Sequence, residues 1–174
     1  MKFTSIIATA FALASSVAAL KTVKLKTFAY PPPQYPEITG QYVASWHEGA
    51  GINYMFVVPE DQAAKFVYDE DSKTLYLDPA SVGNPELKYT FSISTGEPGL
   101  GDKGTLLNSI VSNKPTEVNI DDLGFITFNG SYGLKAVKNI NEPYEYSQKN
   151  YALVEIEGNG PDGAVPVFLQ AIDA

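Results

Sequence analysis

Phe66-Val67-Tyr68, the polar loop Asp69-Glu70-Asp71-Ser72-Lys73 and Leu75-Tyr76-Leu77 read together as a β-hairpin. Aromatic and branched side chains fill both arms, and the loop between them is acidic and hydrophilic. Working outward, the same texture recurs in Thr22–Ala29, Gln41–Trp46, Gly51–Val58, Ala64–Tyr68, Lys73–Leu77 and Leu87–Ser94. It returns in Phe125–Phe128, Tyr132–Val137, Tyr151–Glu157 and Val165–Ile172. Phe125-Ile126-Thr127-Phe128 runs into Asn129-Gly130, the dipeptide best suited to the positive φ angles of a type I′ hairpin turn. Helix signals are thin: a turn or two near Thr105–Val111 and another around Pro59–Ala64. Short strands separated by turns predict an all-β fold, a single-domain antiparallel β-sandwich, with a closed β-barrel or a trefoil-like fold as alternatives.

Four prolines in Tyr30-Pro31-Pro32-Pro33-Gln34-Tyr35-Pro36 exclude a helix or a central strand there. That segment, 30–36, is expected to be a rigid, extended crossover between the first strand and the rest.

The chain has 174 residues, 44% of them hydrophobic, and a formal net charge of −8. It contains no Cys, all 12 of its Lys+Arg are lysines, and His47 is its one histidine. A thiol nucleophile, a disulfide framework, a cysteine-ligated cluster and a zinc site needing several imidazoles are thereby excluded. An acidic chain without arginine is also a poor partner for nucleic acid. No cofactor and no metal site are expected.

Lys2 is followed by an uncharged run, Phe3 to Leu20, that closes on Val17-Ala18-Ala19. A positive start, an apolar stretch and a small-residue exit describe a secretory signal peptide over 1–19, which leaves a single secreted β-domain over 20–174. The C-terminal run from Val165 is short, is broken by Gln170 and ends near Asp173, which is wrong for a glycolipid anchor signal. The expectation is an extracellular or cell-wall protein without a membrane anchor of its own.

Among candidate chemical groups, His47-Glu48 precedes Gly49-Ala50-Gly51 and pairs a base with a carboxylate in sequence, although strand neighbours point to opposite faces. Asn129-Gly130-Ser131-Tyr132-Gly133 falls short of a nucleophile elbow, because Asn129 replaces the first glycine. Asn129-Gly130-Ser131 is instead the chain's one N-glycosylation sequon, placed at a turn tip. Asp69, Asp71 and Asp78 fail the calcium-loop pattern, since no glycine stands where the tight bend needs it. Asp121-Asp122 reads as a turn, and no pair of acids is singled out as a hydrolytic dyad. No catalytic residue is assigned. Tyr30, Tyr35, Tyr42, Tyr144, Tyr146 and Tyr151, with Trp46, are aromatic groups able to stack on sugars. Trp46, Tyr144 and Tyr146 are the candidate carbohydrate contacts, because Tyr144 and Tyr146 follow Pro143 in an expected loop.

Specific words stand out in order: His47-Glu48-Gly49-Ala50-Gly51-Ile52-Asn53-Tyr54, the hairpin 66–77, Leu123-Gly124-Phe125, Leu134-Lys135-Ala136-Val137, Asn139-Ile140-Asn141-Glu142-Pro143-Tyr144, Tyr151-Ala152-Leu153-Val154 and Val165-Pro166-Val167. Over about Ile38 to Ile172 this order resembles the small secreted cell-wall glycoproteins of ascomycete yeasts, the Candida-type surface mannoproteins, and more distantly the phialide cell-wall protein family. The resemblance implies a wall-associated glycoprotein and supplies no catalytic residue. The leading expectation is a non-enzymatic, structural or matrix-associated protein whose partner is wall polysaccharide or mannoprotein. A carbohydrate-binding module is the alternative, and a secreted hydrolase with a carboxylate dyad is the third reading.

Overall fold

A computed structural model describes residues 20–82, 86–95, 105–111, 114–156 and 159–174; the expected leader at 1–19 lies outside them. Twelve strands form among the described residues: β1 (Leu20–Ala29), β2 (Tyr42–His47), β3 (Ile52–Val58), β4 (Phe66–Asp69), β5 (Thr74–Leu77), β6 (Tyr89–Thr95), β7 (Thr105–Val111), β8 (Val118–Ile120), β9 (Ile126–Phe128), β10 (Leu134–Val137), β11 (Ala152–Glu155) and β12 (Val165–Asp173). The described residues contain no α-helix, only short 3-10 turns at Glu60–Gln62, Pro79–Ser81 and Tyr146–Gln148.

All pairings are antiparallel, and they close. Hydrogen-bonded neighbours run β1-β4-β5-β6-β7-β3-β11-β10-β12 and back to β1, a nine-stranded barrel. β1 carries the closure. One of its edges pairs with β12 from Val23↔Asp173 to Ala29↔Val167. Its other edge is shared between β4, from Leu20↔Asp69 to Val23↔Phe66, and β2, through Lys26↔Tyr42. β2 continues into β3 through the tight bend 48–51, and β8 with β9 forms a separate hairpin against β12.

Alternation builds the interior. Val23, Leu25 and Ala29 of β1, Val43 of β2, Met55 and Val57 of β3, Leu107 of β7, Leu153 of β11 and Val167 and Leu169 of β12 share one core. Phe91 anchors it, packed edge-on against Phe66 and face-on against Phe128, each with ring centres 5.4 Å apart. A second apolar layer lies on the outer face. It contains Ala44, Tyr54, Phe56, Val58, Ala152 and Val154, with Ile140 supplied by the segment that follows β10. β3 is therefore buried on both faces, which is why 54–58 reads as an unbroken apolar run.

The barrel corrects the β-sandwich expectation in favour of its closed alternative. A strand with one inward face has the same pattern in either architecture; the long-range joins of β1 to β4 and of β10 to β12 decide between them. Residues 105–111 form β7 and not a helical turn. Paired with β6 on one side and with β3 and β11 on the other, β7 buries four consecutive residues and so loses the two-residue period. At 59–64 the helical signal amounts to the 3-10 turn Glu60–Gln62. Segment 30–36 does join β1 to the rest, but as turns: the Gln34 amide donates to the Pro31 carbonyl, and the Tyr30–Pro31 and Pro32–Pro33 bonds are cis.

Candidate functional site

Trp46 ends the outward row of β2, and Phe56 lies on the outward side of β3. Their rings stack with centres 5.2 Å apart. Tyr146 closes over both, 5.0 Å from Trp46 and 5.7 Å from Phe56. Tyr144 lies parallel to Tyr146 at 5.9 Å, and the His47 ring stands 6.3 Å from Tyr144. The three residues singled out from sequence, Trp46, Tyr144 and Tyr146, thus form one layered group. Burial falls from its base outward: Phe56 is fully buried, Trp46 and Tyr146 are half-buried, and Tyr144 is 53% exposed.

The loop that carries the two tyrosines is held by a buried carboxylate that sequence reasoning did not single out. Glu142 accepts a hydrogen bond from the Ser147 amide at 2.8 Å and another from the Ser147 hydroxyl. The Ser147 oxygen in turn accepts from the Ile140 amide at 3.0 Å. Asn150 donates its side-chain amide to the Tyr146 carbonyl at 3.1 Å. Asn139, Asn141 and Glu145 all take positive φ, so this is a tightly specified loop and not a slack one. Its effect is to offer the Tyr144 face to solvent on a rigid aromatic backing. Such a face can pack against the C–H side of a sugar ring by dispersion, with the Tyr144 hydroxyl and His47 at its edge as hydrogen-bonding groups.

Other tyrosines are placed differently. Lys24 and Lys26 lie 5.7 and 5.8 Å from the Tyr42 ring centre, and Lys138 lies 4.7 Å from that of Tyr151, so each ring has a cation over it. Tyr35 packs against the barrel core, while Tyr30 is 59% exposed, apart from the layered group. Burial, with nearby Glu37, raises the Tyr151 hydroxyl above the ordinary tyrosine value.

His47 and Glu48 are adjacent in sequence but not in surroundings: His47 is exposed and Glu48 is buried at the start of the bend, where its amide donates to the Ile52 carbonyl. The bend needs positive φ at Gly49, Ala50 and Gly51, which explains both glycines in that stretch. Asp69 accepts from the Ser72 and Asp71 amides, and hydrogen bonds from Ser72 above all, with a smaller part from Asp71, hold its carboxyl below the ordinary range. Asp78 caps the 3-10 turn through the Ala80 amide. Among the described residues no group of three or more His, Cys, Asp or Glu is placed to hold a metal ion. Asn129 sits exposed at its turn with φ 48° and Gly130 with φ 78°, the I′ geometry expected.

A second aromatic group was missed. Phe28, Phe125, Tyr132 and Phe168 meet on the outside of β1 and β12. The signal was present in Val165-Pro166-Val167-Phe168-Leu169, where buried Val165, Val167 and Leu169 send Phe168 outward.

Residues 21–171 match the family described as Domain of unknown function (DUF7907). Over 98% of its length the chain is 34% identical to Cell wall protein PGA31 of Candida albicans, of which it spans 52%. It is 33% identical to Cell wall protein PGA30 of the same organism over 92% of its length, spanning 51% of that protein. It is 25% identical to Cell wall protein RHD3 over 98% of its length, spanning 73% of it. The chain therefore spans about half the length of the first two relatives. No solved structure matches it. The resemblance to Candida-type surface proteins drawn from 47–54 and the segments beyond it agrees with these relatives.

Proposed function

The chain belongs to the family described as Domain of unknown function (DUF7907), and from its relatives we propose that it is a secreted cell-wall component. Relatives named as cell wall proteins support the location and the structural role. In this reading the leader over 1–19 directs export, and the domain over 20–174 acts without catalysis in the polysaccharide matrix. The observation that carries a matrix-binding role is the exposed Tyr144 ring, backed in parallel by Tyr146 and below it by Trp46. A flat, pre-ordered aromatic face loses little conformational entropy on binding, so it suits weak, repeated contact with a neutral polysaccharide. The net charge of −8 disfavours an anionic polymer. The chain carries an N-linked glycan on Asn129, a reading supported by the sequon and by its exposed turn.

The test is retention of the purified chain on insoluble β-glucan and on immobilised mannan. Tyr144→Ala is expected to lower retention at least about tenfold while leaving the melting temperature within about 2 °C, because Tyr144 is largely exposed. Wild-type protein that is not retained on either polymer overturns the binding role.

A further inference from the structure

We propose that the open cleft beside β12 is the seat of the glycan on the protein's own Asn129; the proposal rests on that residue being glycosylated. The cleft has a volume of about 290 Å³ and is lined by Asp121, Phe125, Tyr132 and Phe168. Tyr132 and Phe168 form two of its walls, with ring centres 6.0 Å apart and planes at 61°. Tyr132 is 43% exposed, Phe168 36%, and neighbouring Leu123 72%. Contiguous exposed apolar surface of this kind marks a place that something covers.

Register says what is close enough to cover it. Phe125, which lines the cleft, bridges Gln170 of β12 in the antiparallel sense, and Asn129 follows it four residues later. Phe128 bridges Ser131 across the turn, so Asn129 belongs to the turn that leads directly into Tyr132. Asn129 and Tyr132 are three residues apart, so their Cα atoms are within about 11 Å of one another. The alternation that buries Ile126 and Phe128 leaves Phe125, Thr127 and the turn residue on the outward side.

Chemistry and size agree with a sugar. The volume falls at the lower limit of ordinary small-molecule sites, which suits one or two rings at the root of a glycan better than a polymer strand. Apolar C–H faces of the sugar would cover Tyr132 and Phe168. Its hydroxyl and amide hydrogens would face Asp121, whose Oδ1 already accepts from the Leu123 and Phe125 amides at 2.9 and 2.8 Å. The backbone at the attachment point is held: the Asn129 backbone N–H, in a two-residue turn, donates to the Glu117 carbonyl at 2.9 Å. A short, fixed tether gives the first sugar a high effective concentration at the cleft.

The full chain is expressed in a glycosylating yeast and compared in three forms: intact, trimmed enzymatically to one N-acetylglucosamine, and Asn129→Gln. Intact and trimmed forms are expected to melt about 2–4 °C above Asn129→Gln, since the first sugar makes the contact. In a Tyr132→Ala background, and separately in Phe168→Ala, that difference is expected to vanish. A difference that survives both substitutions, or no difference in the wild-type background, overturns the seat. Intact mass showing Asn129 unmodified removes its premise and overturns it too, and that failure is distinguished by the missing hexose. If unglycosylated Asn129→Gln binds soluble mannan or glucan and Tyr132→Ala abolishes this, the cleft serves a free polysaccharide and the proposal is wrong.

Discussion

Two aromatic groups of similar composition stand on this barrel, and they differ in what lies beneath and above them. The Trp46 group rests on fully buried Phe56 and is roofed by a loop tied to buried Glu142. The Phe168 group rests on the outer side of two paired strands, Phe28 opposite Phe168, with Phe125 edge-on to Phe28 and with Tyr132 and Phe168 left partly exposed. Lys26 stands opposite Tyr42, so Trp46 lies four residues along β2 in one direction and Phe28 two residues along β1 in the other. About six residues of strand, roughly 20 Å, separate the groups along the barrel. The difference teaches that the first group is an extension of the core with one free face, whereas the second is a surface feature that leaves Tyr132 and Phe168 partly exposed.

The largest effect should come from the base of the roofed group. Phe56→Ala removes a fully buried ring that contacts both Trp46 and Tyr146, and should cost about 3–5 kcal/mol in urea unfolding. Phe168→Ala in unglycosylated protein should cost only about 0.5–1.5 kcal/mol, because its ring is partly solvated already. Equal losses would erase the distinction between the two groups.

Much of this fold is legible in the sequence, and the limits are physical. Strands with one buried face declare themselves, as β1 does through Val23, Leu25, Thr27 and Ala29. β7 did not, because Leu106, Leu107, Asn108 and Ser109 are all buried and no period survives. Barrel closure was not legible because it is a property of pairs such as Leu134↔Val167, far apart in sequence and chemically ordinary. At the site, Trp46, Tyr144 and Tyr146 were readable as aromatic residues near loops. That Tyr146 is the backing and Tyr144 the face depends on how the loop folds around Ser147. Glu142 looked like any of 20 acids until its burial was seen.

That carboxylate provides the second, intermediate contrast. Glu142→Ala leaves the Ser147 amide and hydroxyl without their acceptor in a buried place, a loss of about 1–3 kcal/mol. Because Trp46 is the single tryptophan and touches Tyr146, loosening the roof should shift the tryptophan emission to the red in the native baseline. Asp121→Ala removes acceptors of the same kind from the turn beside the other group, but at an exposed position. Its loss should be about 0.5–1.5 kcal/mol with no change in emission. An emission shift in Asp121→Ala, or none in Glu142→Ala, would mean that the two supports are not local to their own groups.

The smallest effect belongs to pH, at the strand that steadies the Asn129 turn. Glu117 accepts from the Asn119 side-chain amide at 2.9 Å and from Lys73 at 3.3 Å. The Asn119 bond first, then the bond and charge of Lys73, hold its carboxyl below the ordinary value. A folded-state value below the unfolded one gives stability that is present above the unfolded value and is lost as pH falls through the folded one. The melting temperature of wild type should therefore exceed that of Glu117→Gln by a small margin near pH 6, and the margin should close as pH drops towards about 3. The carboxylate is exposed, so solvent screening keeps the margin small, and added salt should reduce it further. Trp46 lies on β2 and Tyr144 in the loop between β10 and β11, so retention by polysaccharide should not follow this titration. A margin that widens on acidification would reverse the sign and remove Glu117 from the support of the Asn129 turn.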